Sequence, residues 1–286
     1  MSVLLTDIKE LTALLRLLDD ETPEVRLVVV DKLSQVGGDL SEILPDVATN
    51  LNNKELVILE DILRTVRRKT LREEWLTPRF GSAALEDDWE LFESQLRLLS
   101  DFLHDGISLR QPLSDALDLL TEEFQAIYSM GATENDLRIF LFEEDRLRGN
   151  HKHYYDTRNG DLAWCISNGI SNPIGLGIIY MLVGQRLGMD IQGISFPGHF
   201  LCRIFEDAEP IVIDCFDRGK MHAQYVLTDP MNDLTPEQRQ HLRESADLGT
   251  ILMRMLNNMI DAFGRVDRKE DMQLIMEMRD SMMNQK

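Results

Sequence analysis

Three side chains that could act together in thiol chemistry lie in the second half of the chain: Cys165, His199 and Asp214. A thiol attacks a carbonyl carbon when a base removes its proton, and a histidine oriented by a carboxylate is a common base. Short apolar runs predict strands over residues 191–194, 200–205 and 210–214. His199 and Asp214 would then sit beside successive strands, as base and orienting carboxylate, and Cys165 is the candidate nucleophile.

The other two cysteines, Cys202 and Cys215, are predicted to pack in the core. Each lies an odd number of residues from the nearer candidate catalytic residue on its strand, so it should face the opposite side of the sheet. Unpaired cysteines are also among the most frequently buried residues. Three cysteines in 286 residues do not indicate a disulfide framework.

A metal site is the alternative for the histidines. His151 and His153, with Asp156, Asp161 and the more distant His199, form the one metal-like grouping in the sequence. The surrounding stretch is polar and supplies no clear third ligand near the two histidines. A loop that caps a cleft through hydrogen bonds is the favoured interpretation, and no metal or cofactor is predicted.

A buried helix must position these groups. Asn172 can cap it and Pro173 suits its first turn, and residues 174–183 are almost entirely apolar. A helix that is apolar on every side is buried. Gly175 and Gly177 lower its helix propensity, which predicts that another backbone packs closely against it. A buried helix followed by strands that carry a histidine and an aspartate is the layout of a papain-like core.

Several short motifs occur together in this region. They are Gly149-Asn150, Tyr154-Tyr155-Asp156, Pro173, Arg186-Leu187-Gly188, Pro197-Gly198-His199-Phe200, and Ile213-Asp214 with Phe216. In this combination the chain resembles the bacterial transglutaminase-like family named for the invasion regulator Sir B. The helix from Ile251, with its Arg-Met-Leu-x-Asn motif at Arg254, is similar to that family's C-terminal helices. The resemblance covers roughly residues 85–280.

The resemblance implies a transglutaminase-like fold that has lost its nucleophile. In the parent superfamily the catalytic cysteine lies about fifteen residues before the glycine that matches Gly188, and that position here is Pro173. The chain also has Ser171-Asn172 where Gly-Ile usually precedes the proline. The resemblance implies that the motif residues line or support the former active-site cleft. The predicted binding residues are Asn150, Tyr154, Tyr155, Asp156 and Asn172.

Helical segments are predicted on both sides of this core. Residues 1–78 show helical spacing of leucines beginning at Leu4, with an acidic turn and a helix that starts at Pro23, and they resemble HEAT-type hairpins. Residues 79–235 are assigned to the transglutaminase-like core and residues 236–286 to a tetratricopeptide-like tail. The fold class is therefore α+β and predominantly helical, with a small antiparallel sheet.

Charge and hydropathy narrow the function classes. With 30 Lys and Arg against 50 Asp and Glu, the formal net charge is −20, which argues against binding to nucleic acid or to anionic membranes. The longest apolar runs are too short for a membrane helix, and the N-terminus reads as an amphipathic helix rather than a signal peptide. We therefore expect a cytoplasmic protein.

The leading functional hypothesis is a non-catalytic transglutaminase-like protein that acts as a binding or regulatory module. The negative charge favours a basic protein or peptide partner. Methionines at helical spacing near the C-terminus indicate either a core stripe or an adaptable binding surface. The alternative is a thiol amidase or acyl-transfer enzyme that uses Cys165 with His199 and Asp214.

Overall fold

The computed structural model describes residues 8–78, 81–128, 131–229 and 231–283. The chain forms two compact units. One comprises the residues up to Trp75 together with Asp101–Gln111, and the other comprises Leu76–Ser100 and the residues from Pro112 onwards. The predicted domain boundary between residues 78 and 79 stays a prediction, and residues 79 and 80 lie outside the described residues. The predicted C-terminal tail belongs to the same unit as the core.

The first unit is helical. Its helices are α1 (Ile8–Leu15), α2 (Pro23–Val36), α3 (Val47–Asn50) and α4 (Asn53–Glu74). Helix α2 begins at the predicted proline, and α4 begins after Asn52, whose side chain accepts hydrogen bonds from two backbone N–H groups of its first turn. Helix α2 packs against both α1 and α4 around a core of leucines. The predicted start of helical spacing at Leu4 lies outside the described residues, and the HEAT-like assignment remains a prediction.

The second unit opens with helices that surround the core. They are α5 (Trp89–Leu103, of which the last three residues belong to the first unit), α6 (Leu113–Ile127), α7 (Glu134–Arg138) and α8 (Leu162–Asn168). A π-helical turn over Ile139–Glu143 follows α7, and 3-10 turns lie at Ser82–Leu85 and Thr157–Gly160. Helix α9 (Pro173–Leu187) is the central element, because every residue from Pro173 to Gly184 is buried.

Two small sheets occur in the described part of this unit. Strands β1 (Arg148–Gly149) and β2 (Ile170–Ser171) form a short parallel pair. Strands β3 (Gln192–Ile194), β4 (Leu201–Glu206), β5 (Glu209–Asp214) and β6 (Lys220–Ala223) form an antiparallel meander in that order. The predicted fold class is therefore confirmed: the chain is predominantly helical with a small antiparallel sheet. Strand β6 and the β1–β2 pair were not predicted.

The C-terminal part is again helical. It contains α10 (Gln224–Leu227), α11 (Pro236–Arg243), α12 (Leu248–Arg265) and α13 (Lys269–Met283). Helix α12 packs against α13 and also contacts α9. Met255, Met259, Met278 and Met282 are buried, whereas Met283 is half-exposed. Among the described helices, none is both long enough and apolar enough to cross a bilayer.

Gly175 and Gly177 of α9 mark close packing, but the neighbours are mostly side chains rather than the backbone that the sequence suggested. A Cβ at Gly175 would lie 2.2 Å from Ser171 Oγ, and the nearest backbone atom would be Asn159 O at 3.3 Å. A Cβ at Gly177 would lie 2.5 Å from the ring of Phe200 and 3.2 Å from Cys202 Sγ. Phe200 follows His199 directly, so α9 and the segment that carries His199 are in tight contact at Gly177.

We therefore expect Gly177→Ala to destabilise the second unit by about 1–3 kcal/mol, because the added methyl group overpacks a core in which the buried Phe200 ring has little freedom. Gly264→Ala in α12 is the matched control. Its Cβ would meet only Met272 Sδ at 3.5 Å, so its higher helix propensity should leave stability unchanged or raise it by up to about 1 kcal/mol. Urea unfolding of both variants checks the difference. Equal stability of the two variants would contradict the packing described at Gly177.

Candidate functional site

His199 and Asp214 form a hydrogen-bonded pair at one end of the meander. His199 lies just before β4, and Asp214 is the last residue of β5. The antiparallel register, in which Cys202 faces Ile213, brings the two residues to the same end. His199 Nε2 is 3.0 Å from both Asp214 oxygens. The side chains are 27% and 21% exposed, so the pair is accessible from solvent.

The environment of Asp214 keeps its carboxylate ionised. Burial alone would raise the pKa of Asp214. The hydrogen bond and charge of His199 and the backbone N–H groups of Asp217 and Phe216 outweigh burial, so the pKa lies below its ordinary value. An ionised carboxylate only accepts hydrogen bonds, so Nε2 of His199 donates. In the neutral ring Nδ1 then carries the lone pair. Within the described residues Nδ1 has no hydrogen-bond partner.

An aromatic cluster connects the Gly149-Asn150 motif to His199. The ring of Phe216 lies 6.2 Å from the His199 ring, 5.7 Å from the Tyr154 ring and 4.3 Å from the His151 ring, measured between centroids. Gly149 permits this packing, because a Cβ there would lie 2.7 Å from Phe216 O. The pairing of β1 with β2 also brings Gly149 beside Ser171, immediately before the cap of α9.

Four of the five predicted binding residues line one cleft. Tyr154, Tyr155, Asp156 and Asn172 border a cavity of about 40 Å³ together with the 3-10 turn at Thr157–Gly160 and one face of α12. The fifth, Asn150, is buried and does not line the cavity. Its Nδ2 donates to Asn159 Oδ1, and its Oδ1 accepts from the backbone N–H of His153. Asn150 therefore supports the loop without lining the cavity.

The start of α9 contributes a polar group to this cleft. Asn172 Oδ1 accepts from the N–H of Gly175 at 2.9 Å, as expected for a helix cap. The Asn172 side chain is more than nine-tenths buried, and its Nδ2 donates to no described residue. Pro173, which has no side-chain nucleophile, follows at the first position of the helix.

Cys165 lies in α8 and is completely buried. Its Sγ is 3.2 Å from Ser171 Oγ and 3.6 Å from the carbonyl oxygens of Arg158 and Asn159. Burial raises the pKa of the Cys165 thiol, the hydrogen bond with Ser171 lowers it less, and the charge of Asp161 raises it further. In the described part of the chain, His199 is not among its hydrogen-bond partners. This geometry does not favour Cys165 as a nucleophile.

Cys202 and Cys215 are also completely buried, and their sulfur atoms lie 3.8 Å apart. Burial raises the pKa of Cys215 well above its ordinary value. Their positions agree with the predicted core packing.

The histidines of the polar loop are not grouped as metal ligands. His151 packs on Phe216, and the loop is closed instead by hydrogen bonds such as Asn159 Nδ2 to the carbonyl oxygens of His153 and Tyr154. Within the described ranges, no three His, Cys, Asp or Glu side chains are arranged to hold a metal ion. Residues of the loop line one side of the cleft, and the capping role favoured from the sequence stays a prediction.

The sequence analysis missed the contribution of α12. Met255, Asn258, Met259, Asp261 and Ala262 line the cleft, and Arg265 stacks over Tyr155 with its guanidinium carbon 3.6 Å from the ring centroid. Polar residues at positions 254, 258, 261 and 265 recur at helical spacing in a helix whose other residues are mostly apolar. That spacing was the available signal that this face of α12 borders something other than core.

Comparison with known proteins agrees with this architecture. Residues 110–257, more than half of the chain, match the sequence profile of a family described as the transglutaminase-like superfamily. A UPF0162 protein from Xylella fastidiosa strain 9a5c is 30% identical over 209 residues, which cover 68% of this chain and 73% of that relative. The chain therefore belongs to the transglutaminase-like superfamily and, within it, to the group of UPF0162 proteins.

Other relatives match over shorter regions. A UPF0162 protein from Xylella fastidiosa strain Temecula1 is 35% identical over 135 residues, which cover 45% of this chain and about half, 48%, of that relative. Mouse F-box only protein 21 is 30% identical over 77 residues, which cover 27% of this chain and 12% of that protein. No solved structure matches the chain.

The His199–Asp214 pair predicts a specific dependence of stability on pH. Folding lowers the pKa of Asp214, so its contribution is complete above the pKa of an unfolded aspartate, about 3.9, and is lost as the pH falls through the lower folded pKa. We expect Asp214→Asn to cost about 1–2 kcal/mol at pH 7, and this difference from the wild type to shrink below about pH 4.

Asp145→Asn is the control for this experiment. Asp145 pairs with Arg218 at 2.9 Å, but both side chains are more than half exposed, so its loss should cost no more than about 0.5 kcal/mol. Urea unfolding at a series of pH values measures both variants. A cost for Asp214→Asn that equals that of Asp145→Asn at pH 7 would show that the pair stabilises nothing.

Proposed function

We propose that this chain is a non-catalytic member of the superfamily that binds a peptide or protein segment in the cleft between the Tyr154 loop, the start of α9 and helix α12. The observation that carries the proposal is a retained His199–Asp214 pair without a nucleophile. Pro173 occupies the position that the family resemblance assigns to the thiol, and Cys165 is buried among other partners.

The lining of the cleft supports binding rather than turnover. Tyr154 and Tyr155 are partly exposed aromatic rings on a loop closed by the buried Asn150 and Asn159 side chains. Rigid aromatic side chains provide much of the energy at protein interfaces. Arg265 holds the ring of Tyr155 from one side and is itself paired with Asp261 at 2.9 Å. The Tyr155 ring is therefore positioned before a ligand arrives, which lowers the entropic cost of binding.

The net charge of −20 favours a basic partner, because opposite charges accelerate encounter and like charges oppose it. A cytoplasmic, regulatory role in the manner of the Sir B type family belongs to the same proposal. The helical segments before and after the core resemble HEAT-type and tetratricopeptide-like repeats. Under this proposal they provide additional surface for the partner.

Binding to an array of twelve-residue peptides of graded charge tests the proposal. We expect the wild type to bind basic peptides preferentially, with weaker binding at higher salt. Tyr155→Ala should reduce the affinity about tenfold, since it removes a 48% exposed ring from the cleft. Tyr225→Ala is the control, because Tyr225 is 73% exposed in the same unit and does not line the cleft.

Two results would contradict the proposal. One is equal binding by the wild type and Tyr155→Ala across the array. The other is hydrolysis or amide transfer on glutamine-containing peptides that the wild type catalyses and Cys165→Ala does not. The second result would establish the thiol enzyme that the sequence analysis gave as the alternative.

A further inference from the structure

Arg254, one turn before the cleft-lining Asn258 on α12, is a partly buried cation that faces no described carboxylate. Other arginines of the same unit meet acidic partners: Arg186 meets Glu93 and Asp118, and Arg138 meets Glu143. Arg254 instead donates from Nη1 to Ser195 Oγ at 2.9 Å and from Nη2 to the carbonyl oxygen of His199 at 2.6 Å. Arg203 of the same unit is also held by neutral oxygens, those of Gln192, Gln224 and the Arg243 carbonyl. Arg254 differs from it in lying one turn before the cleft residue Asn258 on α12.

The contacts of Arg254 leave donors available. A guanidinium has five N–H groups, and one from each Nη is used. Nε–H and one further N–H on each Nη have no partner among the described residues. Burial lowers the pKa of Arg254, and its charge interacts with the neighbouring Tyr154 phenol. The side chain has thus given up part of its hydration without gaining an anion.

Helix spacing places Arg254 next to the cleft, although Arg254 does not itself line the cavity. Positions 254, 258 and 261 lie on one face of α12, at spacings of four and three residues. Asn258 and Asp261 both line the cavity. Asp261 is already paired with Arg265, so it is not the missing partner of Arg254. The Arg254 hydrogen bond to the His199 carbonyl also ties this face of α12 to the His199 segment.

Tyr154 supplies a second donor at the same place. Its ring borders the cavity and contacts Phe216, and within the described residues its hydroxyl makes no hydrogen bond. The cavity of about 40 Å³ is a few times the volume that holds one water molecule, about 10–15 Å³, so it accepts a small polar group and not a bulky one.

We propose that Arg254 and Tyr154 bind a carboxylate group of the ligand in the cleft beside His199. The planar guanidinium matches a planar carboxylate through two parallel hydrogen bonds, and the Tyr154 hydroxyl donates to the same group. A monoanion is favoured over a phosphate dianion because Asp156 and Asp261 also border the cavity. This inference rests on the proposed binding function: the ligand is a peptide with basic residues whose carboxylate is held at Arg254.

Three matched peptides test the carboxylate site on the full chain. They are acetyl-Lys-Ala-Gly with a free C-terminal carboxylate, the same peptide as its C-terminal amide, and acetyl-Lys-Ala-Glu amide, in which the carboxylate is on a side chain. Calorimetry measures the affinities, and NMR follows the Nε–H signal of Arg254. We expect at least one carboxylate peptide to bind and shift that signal, and the amide without a carboxylate to bind at least about tenfold more weakly. Whichever of the two carboxylate peptides binds more tightly shows whether the bound carboxylate belongs to a chain terminus or to a side chain.

Variants assign the interaction to its residues. Arg254→Gln should weaken the preferred carboxylate peptide about 10- to 100-fold, and Tyr154→Phe about 3- to 10-fold, with little change for the plain amide. Arg254→Lys keeps the positive charge but loses the two parallel N–H donors. Its affinity for the carboxylate peptide should lie between those of the wild type and Arg254→Gln. Arg243→Gln, at an exposed arginine of α11, controls for the change in net charge. Thermal unfolding of each variant confirms that it is folded.

The outcomes separate this inference from the function on which it rests. If the amide binds as tightly as both carboxylate peptides, and Tyr155→Ala weakens all three, the cleft binds peptides but the carboxylate site is wrong. If the carboxylate preference is present but Arg254→Gln and Tyr154→Phe leave it unchanged, the assignment to these residues is wrong. If no peptide in the array or in this set binds to the wild type, both proposals are overturned.

Discussion

Helix α9 has no polar face, so it must be covered on every side, and the elements that cover it also carry the cleft. It contacts α6, α7 and α8, strands β1 to β4, and α12. Its first turn begins at Asn172 and Pro173, directly after the strand that pairs with Gly149. Gly177 brings Phe200, and with it the neighbouring His199, against the helix. The burial of one apolar helix therefore fixes three separate chain segments around a single site.

The His199–Asp214 pair has the hydrogen-bonded arrangement of a base and its orienting carboxylate. Asp214 is held ionised by His199 and by backbone N–H groups, and it fixes the imidazole so that Nδ1 is the remaining nitrogen. That arrangement activates a thiol only if one is present at the helix start. Because Pro173 occupies that position and Cys165 is enclosed by Ser171 and two carbonyl oxygens, the same polar groups are available to a ligand instead. These two observations are the basis of the proposal that the cleft binds a ligand and does not catalyse a reaction.

The sequence predicted the elements whose patterns are local. The start of α2 at Pro23, the start of α9 at Pro173 and the strands near 192–194, 201–206 and 209–214 follow from capping residues and short apolar runs. The two-residue strands β1 and β2 were missed because so short a pair has no periodicity, and its partners are far apart in sequence. The orientation of α12 was missed for a related reason. Helical spacing places Arg254, Asn258 and Asp261 on one face but does not predict which part of the protein that face contacts. The proximity of Tyr154 to His199 through Phe216 is likewise a tertiary contact that no local pattern encodes.

The most direct test of this account restores the missing group. Pro173→Cys should place a thiol at the first turn of α9. Under the proposal His199 is within reach of this position, so His199 and the helix N-terminus should stabilise the thiolate. Site-resolved alkylation as a function of pH measures it, with the buried Cys165 as the internal comparison. The account predicts that the introduced thiol reacts much faster than Cys165, with an apparent pKa well below the ordinary value of about 8.5, and that His199→Ala in the same chain removes this shift. An introduced thiol that is as unreactive as Cys165, or whose pKa does not depend on His199, would contradict the proposal that this region is a thiol-enzyme site lacking only its nucleophile.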